Sequence, residues 1–166
     1  MHTEKTQSIE YYLSLGSNLG DRGANLQKAV SFLKKVGRIL KVSAIYETAP
    51  VDMEPGTGHF YNLVLCAVSR LAPLQLLGRI KEFEKSMGRD ISNSHKRPRV
   101  IDIDILLAGD LILDREELTI PHREMHKRAF VLVPLKEIAR GLVHPVLKKS
   151  VSEILLELET CGVRKI

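Results

Sequence analysis

The stretch Arg97-Pro98-Arg99-Val100-Ile101-Asp102-Ile103-Asp104-Ile105-Leu106-Leu107-Ala108-Gly109-Asp110 organises the chain. Apolar and acidic residues alternate strictly from Ile101 to Ile105, the period of a half-buried strand. Ile101, Ile103 and Ile105 then share one face, and Asp102 and Asp104 the other. The two carboxylates stand about 7 Å apart along the strand. Asp is scarce in strands, and two like charges on one face repel unless a cation lies between them. Mg²⁺ meets that need, because it prefers hard oxygen ligands and commonly takes one or two carboxylates together with phosphates. Arg97 and Arg99 add guanidinium forks suited to phosphate oxygens. Taken alone, the stretch equally allows a strand whose acids are merely solvated.

Upstream, residues 11–17 read as a strand ending in a glycine turn. Asp21 then caps a helix whose apolar side is Leu26, Ala29, Val30, Leu33 and Val36, with Gly37 as its stop. Gly16 to Arg22 lacks the Gly-Lys-Ser/Thr of a phosphate loop and reads as strand-to-helix punctuation. Residues 39–46 suggest a second strand. The breaker-rich segment 48–59 is longer than a usual connection and suits a lid. Residues 60–69 form a third strand with one polar member, Asn62, which either ties down a loop or reads a ligand.

Pro73 opens a second helix with Leu74, Leu77, Ile80, Phe83 and Met87 on its apolar side and Gly88 at its end. Lys81, Glu82 and Glu84 fall on other faces, expected to be solvated. Residues 89–96 are polar and aperiodic, a second candidate lid. Downstream come a short strand at 111–113, an extended segment 118–122, and a helix from Met125 to Val133 ended by Pro134. His144-Pro145 makes a turn, and residues 151–158 a terminal helix. The order β-α-β-β-α-β predicts an α+β fold of the ferredoxin-like plan. Its antiparallel sheet carries helices packed on one face, and short C-terminal elements follow.

With 166 residues, 44% hydrophobic and 27% charged, the chain reads as one domain over 1–166 with its motif-bearing core at about 11–145. No apolar run reaches the roughly 20 residues that span a bilayer, and Met1 to Glu10 lacks the apolar centre of a signal peptide. Two cysteines make no disulfide framework. A soluble, cytoplasmic protein is expected. A net charge of +5 favours an anionic partner. Four Phe, four Tyr and no Trp equip a base-stacking surface thinly.

His122 and His126 have the spacing of a helical zinc pair, but neither a Glu nor a cysteine cluster completes the template. No Gly-x-Ser-x-Gly is present, and neither cysteine has a nucleophile's context. What remains is a supply of arginines, Arg89, Arg97, Arg99, Arg123 and Arg128, around two carboxylates. Phosphoryl-type transfer asks for such a set: metal ligands, cations over the developing charge, and a loop that excludes water. The alternative is a basic ferredoxin-like RNA-binding module. Asp102 and Asp104 argue against it, since without a metal they would repel phosphates.

Read in order, the motifs Leu15-Gly16-Ser17-Asn18-Leu19-Gly20-Asp21, Tyr46-Glu47-Thr48, the Asn62 strand, Gly88-Arg89, residues 97–106, Pro121-His122 and Arg128-Ala129-Phe130 resemble one family. It is the 6-hydroxymethyl-7,8-dihydropterin pyrophosphokinases of folate biosynthesis, and the likeness runs from Tyr12 to about Pro145. It implies transfer of the β,γ-diphosphate of ATP to the pterin hydroxymethyl group with release of AMP. Asp102 and Asp104 would hold two Mg²⁺, and Arg89 and Arg99 would lie over the phosphates. Phe60 and Phe130 would sandwich the pterin, Asn62 would bond its edge, and Thr48, Ala49 and Val51 would add contacts. His122 and Arg128 would reach the triphosphate, with Glu84, Ile105 and Thr119 near the nucleotide. Lys96, Arg123 and Ala49 stand where some members have Trp, Tyr and Pro, which bears on the lids and the nucleotide site. The resemblance also implies a monofunctional enzyme, and a monomer acting on small-molecule substrates is expected, with neither nucleic acid nor membrane as partner.

Overall fold

The computed structural model describes residues 7–88 and 98–166. In chain order the elements are β1 (Ile9–Ser17), α1 (Arg22–Val36), β2 (Arg38–Val42), β3 (Tyr46–Thr48), β4 (Phe60–Ser69) and α2 (Pro73–Ser86). They continue with β5 (Asp102–Ala108), β6 (Leu113–Asp114), β7 (Thr119–Ile120), α3 (Ala129–Ala139), α4 (Val151–Leu155) and β8 (Val163–Lys165), with a 3₁₀ turn at Met125–Lys127. β1 lies in the middle of the main sheet, paired antiparallel with β4 and β5. The far edge of β4 carries β2 and β3 end to end, and β8 closes against β3. The strand order and the antiparallel pairing are those of the expected ferredoxin-like α+β plan.

Alternation along the strands builds two cores. On one face Tyr11, Leu13 and Leu15 of β1 and Ile103 and Ile105 of β5 meet Leu26, Ala29 and Leu33 of α1 and Leu76 and Ile80 of α2. Each large side chain buried there stabilises the fold by roughly 1.5–3 kcal/mol. On the other face Val64, Leu106 and Leu107 lie under Val131, Leu132 and Leu135 of α3 and Val151 and Ile154 of α4. A bulge at Leu106, between the pairs Leu13–Ile105 and Tyr12–Leu107, delivers two consecutive leucines to this second core. The C-terminal elements are therefore a roof over the sheet's second face. They cover the Val64 end of that face and leave the Asn62–Phe60 end uncovered by α3 and α4.

Several local expectations change. Residues 39–46 are two strands, because Ser43 Oγ accepts the Val64 N–H and the Glu137 carboxylate accepts the Ala44 N–H, replacing ladder bonds. Gly16 lies inside β1, and the turn residue is Gly20, with φ +71°. On α2, Leu76 is buried, Leu74 is exposed, and Glu84 is buried, not solvated. The helix read as ending at Pro134 runs through it to Ala139. The proline gives up one helical hydrogen bond but is itself buried beside Leu135, and apolar burial offsets the loss. β8 had no sequence signal.

Asp21 caps α1 as expected, accepting the Ala24 N–H at 3.0 Å. Gly37 ends α1 for a different reason than a left-handed turn. Its φ is −169°, and a Cβ there would sit 2.7 Å from the Val68 carbonyl oxygen. Gly37→Ala is expected to cost about 1–3 kcal/mol, the scale of overpacking. A urea titration should show a lower midpoint with an unchanged slope.

Candidate active site

At the end of β1, Asp102, Gly16, Asn62 and Tyr46 stand in register across four strands. Two rungs on, Phe60 pairs with Thr48. All of these share the face opposite α1 and α2. Asn62 is buried, and its Nδ2 donates to Thr48 Oγ1 at 2.8 Å. A Cβ on Gly16 would lie 3.1 Å from Asn62 Oδ1 and 3.7 Å from Phe60 Cδ1. Glycine is thus what lets the amide and the ring lie low over β1. Asn62 does tie down the loop's first residue, and its oxygen stays on the cleft side.

The two acids differ in their surroundings. Asp102 accepts a 2.6 Å hydrogen bond from Arg99 Nη1. Arg99 is itself fixed, since its N–H donates to Asn18 Oδ1 at 2.6 Å and its carbonyl accepts the Asn18 N–H at 3.1 Å. Asp104 has His122 Nε2 and Arg128 Nη1 each at 3.9 Å from its Oδ2, too far for a hydrogen bond. Burial, and next the charge of Asp102, push the Asp104 carboxyl above the usual carboxylate range; Arg128 and Arg99 oppose this without reversing it. His122 goes the other way, held down to about 4 by burial and then by Arg128. Its Nδ1 accepts the Glu124 N–H at 3.1 Å, so the neutral ring carries its proton on Nε2, facing Asp104. At neutral pH this imidazole is a hydrogen-bond donor to the cleft.

The outer edge of β5 is closed by candidate residues. The Ile103 N–H donates to Glu84 Oε1 at 2.8 Å, and the His122 N–H to the Leu106 carbonyl at 2.9 Å. Phe130 is half-buried in the first turn of α3, with the Arg128 guanidinium 5.6 Å from its ring centroid. Thr119 Oγ1 accepts from Arg123 Nε at 3.0 Å, and Arg123 also pairs with Asp114 at 3.3 Å. Ile105 is buried in the core under α1 and α2, so its side chain faces away from the acids and only its backbone is on their side. Ala49 and Val51 are exposed in the loop between β3 and β4. Arg89, Lys96 and Arg97 lie outside the described residues. Sequence reasoning assigned no role to Asn18, whose signal is only an amide directly after a Gly-Ser strand end, nor to Arg22.

Asp102 and Asp104 fit a divalent cation. They lie on one face of one strand, and a cation between them would relieve both the burial penalty and the mutual repulsion that hold Asp104 back from ionising. Among the described residues no group of three His, Cys, Asp or Glu side chains is positioned to hold a metal. Two carboxylates would leave the other ligand positions to water and substrate oxygens, the arrangement Mg²⁺ favours.

A carboxyl whose folded-state pKa is raised loses its stabilising protonated form as pH rises from the ordinary carboxylate range through that higher value. Without added metal, the melting temperature should therefore fall as pH climbs from 5 to 8. Asp104→Asn should flatten that slope and melt higher at pH 8, by about 2–4 °C if roughly 1 kcal/mol is recovered. Mg²⁺ should raise the wild-type melting temperature more at pH 8 than at pH 5.

Residues 12–140 match the family described as 7,8-dihydro-6-hydroxymethylpterin-pyrophosphokinase (HPPK). The chain is 41% identical over 142 residues to the 2-amino-4-hydroxy-6-hydroxymethyldihydropteridine pyrophosphokinase of Aquifex aeolicus, covering 86% of this chain and 88% of that protein. It is 40% identical over 163 residues to the folic acid synthesis protein fol1 of Schizosaccharomyces pombe. That match covers 97% of this chain but only 22% of the longer relative. In fold it resembles the crystal structure of Plasmodium falciparum HPPK-DHPS, with a TM-score of 0.76 at 18% identity, over 93% of this chain and 46% of that one. The chain belongs to the 7,8-dihydro-6-hydroxymethylpterin-pyrophosphokinase family.

Proposed function

We propose that this chain transfers the β,γ-diphosphate of ATP to the hydroxymethyl group of 6-hydroxymethyl-7,8-dihydropterin. The pterin oxygen attacks the β-phosphorus, the bond from that phosphorus to the AMP oxygen breaks, and the hydroxyl proton leaves to solvent. The observation that carries this reading is the Asp102–Asp104 pair, ringed by Arg99, His122 and Arg128 beside a slot formed by Phe60, Asn62 and Gly16. Family membership supports it independently.

Each side chain then has a role its surroundings allow. Asp102 and Asp104 would hold Mg²⁺, two ions in our reading, whose charge offsets that of the triphosphate. Arg99, braced by Asn18, and Arg128 would lie over the phosphates, and Arg89 would join them. His122, neutral with its proton on Nε2, would donate a hydrogen bond to a phosphate oxygen. Phe60 and Phe130 would stack on the flat heterocycle while Asn62 and Thr48 fix its edge, with Ala49 and Val51 adding contacts from the loop. Glu84 would act by holding β5, and Thr119 and the backbone at Ile105 would border the nucleotide.

We read residues 1–166 as one domain, cytosolic and monomeric, acting on small molecules without nucleic-acid or membrane partners. No described helix is long and apolar enough to cross a membrane.

The test is direct. With ATP, Mg²⁺ and the hydroxymethyl-dihydropterin, AMP and diphosphorylated pterin should form in equal amounts. ADP in place of AMP would mean an ordinary kinase. Asp102→Ala and Asp104→Ala should each lower turnover roughly a thousandfold, the scale of losing one electrostatic anchor of a transition state, while circular dichroism stays native.

A further inference from the structure

We propose that Arg22, at the start of α1, is a positioning residue for the heterocycle, clamping from beneath the sheet both ends of the loop that carries the ring's contacts. This rests on the pterin reading above and adds a residue to it.

The loop leaves β3 after Thr48 and rejoins the sheet at Phe60, and those two residues are its last paired rung. The rung below is Glu47 with Tyr61. Alternation turns Thr48 and Phe60 toward the cleft and Glu47 and Tyr61 toward the opposite face. Arg22 meets them there. Its Nη1 donates to Glu47 Oε2 at 3.1 Å and to the His59 carbonyl at 2.9 Å, and its guanidinium carbon lies 3.8 Å from the centroid of the Tyr61 ring. One planar cation thus touches the residue before Thr48 and the residues on either side of Phe60. Asn62 ties Thr48 from the cleft side, so the mouth of the loop is held on both faces.

The choice of arginine follows from these contacts. A guanidinium can stack on an aromatic face while its in-plane N–H groups reach a carboxylate and a carbonyl; an ammonium cannot do both. Glu47 is shared with Arg164 of β8, whose Nη2 donates to Glu47 Oε1 at 2.7 Å, but Arg164 is largely exposed and, among the described residues, makes no side-chain hydrogen bond to β4. The clamp across the loop is therefore Arg22 and not the acid's second partner. Its side chain is only about a quarter exposed, so the contact is made with little water between.

The experiment compares Arg22→Met, Arg22→Lys and Arg164→Ala with wild type in two measurements. Amide hydrogen exchange on the ligand-free protein should be faster across residues 49–60 in Arg22→Met, with β1 and α2 unchanged. It should be partly restored in Arg22→Lys and near wild type in Arg164→Ala. Titration with the dihydropterin, using a non-hydrolysable ATP analogue to hold the nucleotide site, should show about tenfold weaker pterin binding in Arg22→Met. Affinity for the analogue alone should stay the same. Unchanged exchange in 49–60, equal losses for both ligands, or faster exchange throughout the sheet would overturn the proposal. If wild type binds no pterin while Arg22→Met still loosens 49–60, the clamp stands as a loop anchor and the substrate reading is what fails.

Discussion

Two carboxyl groups held side by side on one strand are the constraint from which the rest of this site follows. At about 7 Å and an effective dielectric of 20, a charge on both would cost on the order of 2 kcal/mol. Ile103 and Ile105 of that strand and Ile101 just before it, all buried, each contribute roughly 1.5–3 kcal/mol. A slip of one residue would relieve the acids only by exposing all three isoleucines. Apolar burial therefore wins, and the charges are fixed where they do not wish to be.

The surroundings reduce that strain without removing it. Arg99 bonds Asp102 directly, whereas Arg128 and His122 stop short of Asp104. A closer arginine would neutralise Asp104 and compete with any metal for its oxygens. Burial keeps His122 uncharged, so it adds a donor and no further positive charge. The cleft is left with an acid that favours a divalent cation and with cations spaced for more negative charge than the protein supplies. Such a local conflict between stability and electrostatics is what a binding site for a metal and polyphosphate requires.

Features resting on near neighbours were legible in the chain. The Ile-Asp alternation, the Asp21 cap, Pro73 as a helix opener and the Phe60–Ser69 strand are set by local periodicity and backbone chemistry. What the chain did not disclose depends on distant partners. Glu84 looks like a solvated helix charge until β5 supplies an unpaired N–H at Ile103, nineteen residues on. Residues 39–46 look continuous until Glu137 reaches across to Ala44. Pro134 looks like a stop because the burial that carries the helix through it comes from the sheet below. In the cleft, the charged and aromatic candidates could be named from motifs. Gly16 and Asn18 could not be given roles, since a missing Cβ and a side chain bonded to a backbone 81 residues away have no local signature.

The turn between β1 and α1 brings these long-range effects together. Within five residues, Asn18 grips the backbone of Arg99 on the acid side, and Arg22 grips the base of the 49–59 loop on the aromatic side. Both grips spring from one short segment anchored by the Asp21 cap and by Asn25, whose Nδ2 bonds Ser17 Oγ and the Leu19 carbonyl. A displacement of this turn would move the Arg99 guanidinium and the Phe60–Asn62 slot together. The reaction read here needs a hydroxyl on one ligand in line with a phosphorus on the other, so the distance between the two subsites matters more than either alone. Bracing both from one segment fixes that distance in the sheet end itself.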